Sequence, residues 1–241
     1  MREVSGGRTT DGAIGILMLD TVFPRIPGDV GNASTYPFPV TFRIVKGATV
    51  QRVVKEADPA LLAPFIEAAQ ELEREGVRAI STSCGFLAMF HQELVNAVKI
   101  PVLTSSLLQV PLVASLIGSN QKVGILTARA ESLGPRHFRA VGIEDYPVVV
   151  QGMEGAREFT EVFIEGKTTL DVEKIKAEMV EAAVMLVQNH PEVGGIVLEC
   201  TNMPPYAKAV QEAVALPVFD ITTLIKYTYS ALSRQEFSGG T

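Results

Sequence analysis

The stretch Val77–Leu108, VRAISTSCGFLAMFHQELVNAVKIPVLTSSLL, decides the fold, because the chain repeats its plan 116 positions later as Val193–Leu224, VGGIVLECTNMPPYAKAVQEAVALPVFDITTL. Without a gap, Ile80 meets Ile196, Cys84 meets Cys200, Val98 meets Val214 and Pro101-Val102 meets Pro217-Val218. The only two cysteines of the chain thus hold one position in two copies. Each copy reads as a buried strand ending at a cysteine, then a helix, then a short Pro-Val strand.

Outward from the copies, Lys122-Val123-Gly124-Ile125-Leu126-Thr127 echoes Ile14-Gly15-Ile16-Leu17, so each half opens on its own apolar strand. Further strands are expected at Phe42–Val45 and Val148–Val150. Helices are expected from Asp58-Pro59, with Asp as N-cap and Pro at the first position, to Gly76. Others are expected over 86–98, 107–117, 130–141 and 171–189, from Pro204, and over 222–233. Strands alternating with helices predict an α/β fold of two pseudo-symmetric parallel-sheet domains. Residues 1–107 plus 221–241 are expected to form the first domain and 108–220 the second. The Gly-rich ends, 1–12 and 238–241, are expected to be loose. Ligands of open parallel sheets bind beyond the carboxyl ends of the strands. Both cysteines lie there, which puts the expected site in the crevice between the domains. A Pro/Gly-rich run from Phe23 to Pro39 directly after the first strand is expected to wall or cover it.

The 241 residues are 47% hydrophobic and 20% charged, with net charge −6. With no Lys/Arg cluster, nucleic acid is excluded as an expected partner. No apolar run is long enough to span a membrane, and the N-terminus lacks the apolar core of a signal peptide. A cytoplasmic location follows as an expectation, and in that reducing setting the cysteines read as chemical groups rather than a cross-link. His91, His137 and His190 are scattered without metal-ligand spacing, so no metal is expected. Gly-x-Ser-x-Gly, P-loop and Gly-x-Gly-x-x-Gly signatures are absent.

A free thiol titrates near 8.5, and helix starts at Gly85-Phe86 and at Pro204 are expected to lower that for Cys84 and Cys200. Turn amides, among them that of Gly85, together with Thr82, Ser83, Thr201 and Asn202, are placed to receive a carboxylate.

Thr82-Ser83-Cys84-Gly85 and Glu199-Cys200-Thr201-Asn202, in mirrored halves, resemble the aspartate/glutamate/hydantoin racemase superfamily, and the likeness runs from about Ala13 to Leu232. It implies a cofactor-independent amino-acid racemase in which Cys84 and Cys200 act as opposed acid and base for proton transfer at the α-carbon. Asp20-Thr21 resembles the Asp-Ser after the first strand of glutamate racemases, which implies that Asp20 helps deprotonate Cys84 and that Thr21 contacts substrate. Thr127 and Thr201 match substrate-contacting threonines. Where racemases of aspartate and glutamate read Cys-Asn-Thr, this chain has Cys84-Gly85-Phe86. Where glutamate racemases carry a His after the second Cys-Thr, it has Asn202. These departures replace polar groups by an apolar one and change the expected substrate rather than the two-thiol machinery. The expected partner is a small carboxylate or amino-acid-like substrate, with a homodimer as the possible assembly. Two alternatives remain open: a maleate-isomerase-like enzyme with a nucleophilic cysteine, and a two-lobed small-molecule binding protein.

Overall fold

The structure is a computed structural model describing residues 13–234 and Glu236. The ends expected to be loose, 1–12 and 238–241, lie outside the described residues. Eight strands among the described residues form two four-stranded parallel sheets of identical order. In the first, β1 (Ile14–Leu19) lies between β2 (Val40–Val45) and β3 (Ala79–Thr82), with β4 (Val102–Leu103) at the edge. In the second, β5 (Lys122–Thr127) lies between β6 (Val148–Gly152) and β7 (Val193–Leu198), with β8 (Val218–Phe219) at the edge. Every residue of β1 and of β7 is buried, as expected of apolar strands covered on both faces.

The helices are α1 (Leu62–Arg74), α2 (His91–Ala97), α3 (Val110–Leu116), α4 (Pro135–Ala140), α5 (Arg157–Phe163), α6 (Val172–Asn189), α7 (Ala207–Val214) and α8 (Ile221–Leu232). The internal repeat extends to packing. A Cβ on Gly15 would stand 2.9 Å from a Leu72 methyl of α1, and one on Gly124 would stand 2.9 Å from a Leu186 methyl of α6. The same missing side chain in each half lets the long helix lie directly on the opening strand.

Two helices change sides. Although α3 follows the first sheet, it packs on the second, where Val113 abuts Gly195 and Ser106 Oγ donates to the Leu198 carbonyl at 2.6 Å. Although α8 follows the second sheet, it packs on the first: Ile221 and Ile225 are buried with Ile14, Ile16 and Leu103. Tyr229 stacks on Phe38 with ring centroids 3.8 Å apart. Asp220 caps α8 through the Thr222 and Thr223 amides, at 2.7 and 2.9 Å, and its own carbonyl receives Gln109 Nε2 at 2.8 Å.

Some helices differ from expectation. The stretch 86–98 splits into a 3-10 turn, Gly85–Phe90, followed by α2. The stretch 130–141 breaks at Gly134-Pro135, because proline lacks an N–H and restricts the residue before it. The short α5 and a π-helical turn at Gln51–Lys55 carry too few residues for a periodic signal. Among the described residues no helix is long and apolar enough to cross a membrane.

Candidate active site

Cys84 follows β3 and is the extended residue that opens the 3-10 turn Gly85–Phe90. Cys200 follows β7 at the equivalent place in the other sheet. The two cysteine loops are tied together across the halves, where Thr201 Oγ1 donates to the Ser83 carbonyl at 2.6 Å. Ser83 Oγ in turn accepts the Leu19 amide at 2.8 Å. Both thiols are free and line one narrow cavity. Its apolar walls come from Leu19, Phe23, Phe86, Phe163 and Ile164, and Arg25 is its one cationic lining residue among the described residues. Among the described residues no Asp or Glu lines it.

The Pro/Gly-rich run after β1 supplies Phe23 and Arg25 to this wall. Arg25 Nη1 donates to Asp29 Oδ1 at 2.8 Å, Nη2 donates to Thr21 Oγ1 at 3.1 Å, and the guanidinium lies 4.8 Å from the Phe23 ring centroid. Asp29, 2% exposed, also accepts Asn202 Nδ2 at 2.7 Å. Asn202 Oδ1 accepts from Cys200 Sγ at 3.5 Å. A continuous polar chain therefore runs from Arg25 through Asp29 and Asn202 to the second thiol.

The thiols are not acidified as the helix starts led one to expect. Burial, and next the Glu199 carboxyl, push Cys84 up to about 12, against the opposing pull of the Phe86 and Leu87 amides and of Arg25. Burial and then Glu199 also hold Cys200 well above the ordinary thiol range, with Cys84 and Asp29 adding to the effect and only the Asn202 amide opposing it. The turn amides do favour the thiolate, but desolvation in a closed apolar cavity outweighs them. The two thiols differ in kind all the same. Glu199 acts on both, but two amides and a guanidinium oppose it at Cys84, whereas at Cys200 Asp29 adds to it and a single amide opposes it.

Of the residues singled out from the sequence, Thr21, Ser83, Cys84, Gly85, Cys200 and Asn202 line the cavity. Thr127 and Thr201 are fully buried behind it, Thr127 bonded to Glu199 and Thr201 to Ser83. Asp20 is not brought to the thiols. It is exposed, lies in a neighbouring surface hollow and accepts the Gly47 amide at 3.4 Å. The charged groups acting on the cysteines are instead Arg25, Asp29 and Glu199. Arg25 and Asp29 sit in an irregular loop, where sequence spacing says nothing of direction; the only signal was the loop's position after β1. Glu199 was legible as an acid ending an otherwise apolar strand. Among the described residues no group of three or more His, Cys, Asp or Glu is placed to hold a metal.

Residues 47–225 match the model of a family described as Asp/Glu/Hydantoin racemase. The chain is 32% identical over 215 residues to a dimethylsulfoniopropionate lyase of Durusdinium sp. clade D, covering 86% of this chain and 71% of that one. It is 30% identical over 221 residues to dimethylsulfoniopropionate lyase 3 of Emiliania huxleyi (strain CCMP1516), covering 88% of this chain but only 57% of that longer protein. In fold it resembles the aspartate racemase of Picrophilus torridus (TM-score 0.56, 15% identity, 94% and 96% of the two chains). It resembles arylmalonate decarboxylase to the same degree (TM-score 0.56, 15% identity, 91% and 92%).

Proposed function

Because the chain belongs to the Asp/Glu/hydantoin racemase family, we propose that it is a carbon-acid enzyme in which the Cys84 thiolate removes the α-proton of a short carboxylate. The substrate we favour is dimethylsulfoniopropionate, and the outcome is β-elimination. The observation that carries this reading is the cavity lining: one guanidinium, three phenylalanines, aliphatic walls and no carboxylate.

An amino acid brings an α-ammonium with three N–H donors, and a buried ammonium without a carboxylate partner is strongly disfavoured. A sulfonium carries positive charge but no N–H, so it requires no acceptor and is attracted to aromatic faces. Phe23 and Phe163, edge to face with ring centroids 5.2 Å apart, and Phe86 supply such faces. Arg25 suits the carboxylate, because its bonds to Asp29 and Thr21 leave further N–H groups free. Two curated relatives carrying the name dimethylsulfoniopropionate lyase support the same substrate.

The electron count closes with one base. Cys84 sulfur takes the α-proton, the Cα–H pair becomes the Cα=Cβ bond, and the Cβ–S bond breaks onto sulfur. Dimethyl sulfide departs neutral and acrylate remains at Arg25. The leaving group needs no proton, so elimination makes no demand on Cys200 as an acid. A thiol held near 12 is a strong base once ionised, and the arriving sulfonium favours its thiolate by direct attraction.

The amino-acid racemase reading, with Cys84 and Cys200 as opposed acid and base, is favoured by one observation: both thiols line the same cavity from different halves. Incubation in heavy water separates the two readings. Release of dimethyl sulfide and acrylate from dimethylsulfoniopropionate supports the lyase. Intact dimethylsulfoniopropionate, together with an amino acid whose antipode forms carrying solvent deuterium at Cα, replaces it by the racemase.

A further inference from the structure

Neither reading assigns a role to Glu199, yet it is the most unusual side chain near the thiols. It is fully buried, and its Oε2 accepts Thr127 Oγ1 at 2.7 Å. Its Oε1 has no hydrogen-bond partner among the described residues. That orphan oxygen is pressed against the backbone of Gly85, beside Cys84: a Cβ on Gly85 would collide with Glu199 Oε1 and with the Glu199 carbonyl. In sequence Glu199 adjoins Cys200, so one carboxyl stands between both cysteine loops without reaching the cavity lining. A buried carboxylate with a single donor is poorly solvated, whereas the neutral acid loses little by lacking a second partner.

We propose that Glu199 is a positioning residue that sets the charge state of both thiols: protonated, it lets Cys84 ionise, and ionised, it keeps Cys84 and Cys200 as thiols. The site then admits one negative charge among Glu199 and the two thiols, because like charges in a poorly solvated setting oppose one another. Burial raises Glu199 to about 7, with the Thr127 hydroxyl opposing, so its charge changes under ordinary conditions. Other charged groups act on the thiols unevenly, Arg25 favouring the Cys84 thiolate and Asp29 disfavouring that of Cys200. Glu199 is the group whose field reaches both in the same direction. This role rests on the thiol chemistry proposed above, but its test requires no substrate.

The test is iodoacetamide labelling of the intact chain across pH, with the rate at each cysteine read by peptide mass spectrometry, since alkylation tracks the thiolate. Glu199→Gln keeps an acceptor for Thr127 and removes the charge. It is expected to lower the labelling midpoint of both cysteines by at least about one pH unit, which is about tenfold in rate at pH 8. Thr127→Val removes the one bond favouring the carboxylate, so it keeps Glu199 neutral to higher pH and should speed labelling of both cysteines at pH 7 to 8 by a smaller factor. It serves if Glu199→Gln does not fold. A purely structural Glu199 would lower the melting temperature of a variant and leave both midpoints where they were. Unmoved midpoints in folded Glu199→Gln, or unchanged labelling rates at pH 7 to 8 in folded Thr127→Val, overturn the proposal. Dimethylsulfoniopropionate turnover is assayed separately, so failure of the lyase reading with shifted midpoints leaves this role standing.

Discussion

Arg25 and Glu199 act on Cys84 in opposite directions, and each is a measurable handle. Charge-assisted hydrogen bonds contribute about 1.5–3 kcal/mol, so Arg25→Met should raise KM by roughly ten- to a hundredfold. Arg25→Lys should recover only part of this, since an ammonium lacks the planar fork. Steady-state kinetics on the true substrate checks both. The methionine variant should also lose stability, because Asp29 keeps only Asn202 and the Gly31 amide as partners for a buried charge. Glu199 links stability to pH in a definite direction. Its pKa in the folded chain, about 7, lies above the ordinary 4.5, so the folded state binds the proton more tightly than the unfolded state does. Stability should therefore fall as pH rises through that window, by roughly 3 kcal/mol for this group alone. Chemical denaturation of wild type and Glu199→Gln at pH 5 and pH 8 checks it: the variant should show the smaller difference.

At the scale of elements, the strand ends and the crossed helices place the chemistry. Gly85 is required where the first cysteine loop meets the Glu199 backbone and side chain, and neither the carbonyl nor the tightly packed carboxyl can retreat. Gly85→Ala should therefore destabilise by about 1–3 kcal/mol, as overpacked cores do, and should disturb both thiols at once. The cap of α8 is a second such point. Asp220→Ala leaves the Thr222 and Thr223 amides without their acceptor and should cost about 1–2 kcal/mol, seen as a melting temperature lower by about 2–8 °C. Much of this was legible in the sequence. The repeat located β3, β7 and both cysteines, since continuous apolar runs ending at a cysteine have one plausible place in a parallel sheet. The break of 130–141 at Gly134-Pro135 was present in the residue types, but the apolar spacing outweighed it. Arg25, Asp29 and the orphaned Glu199 oxygen were not legible as partners, because each contact joins segments set side by side only by the tertiary fold.

Over the whole molecule, two copies of one α/β unit exchange a helix, α3 for α8, and the crossing holds both cysteine loops against one cavity. The copies have diverged electrostatically. Burial and Glu199 raise both thiols, but Arg25 opposes them at Cys84 whereas Asp29 adds to them at Cys200, so the base proposed is the thiol with the guanidinium beside it. Symmetric two-base racemisation needs both thiols, whereas elimination of a neutral leaving group needs one. The most direct test is therefore to measure kcat/KM for dimethyl sulfide release by folded Cys84→Ser and Cys200→Ser side by side. The expected result is a loss of roughly 10²- to 10⁴-fold for Cys84→Ser and less than about tenfold for Cys200→Ser. Equal collapse of both variants, or undiminished release by Cys84→Ser, would contradict the assignment of Cys84 as the single base.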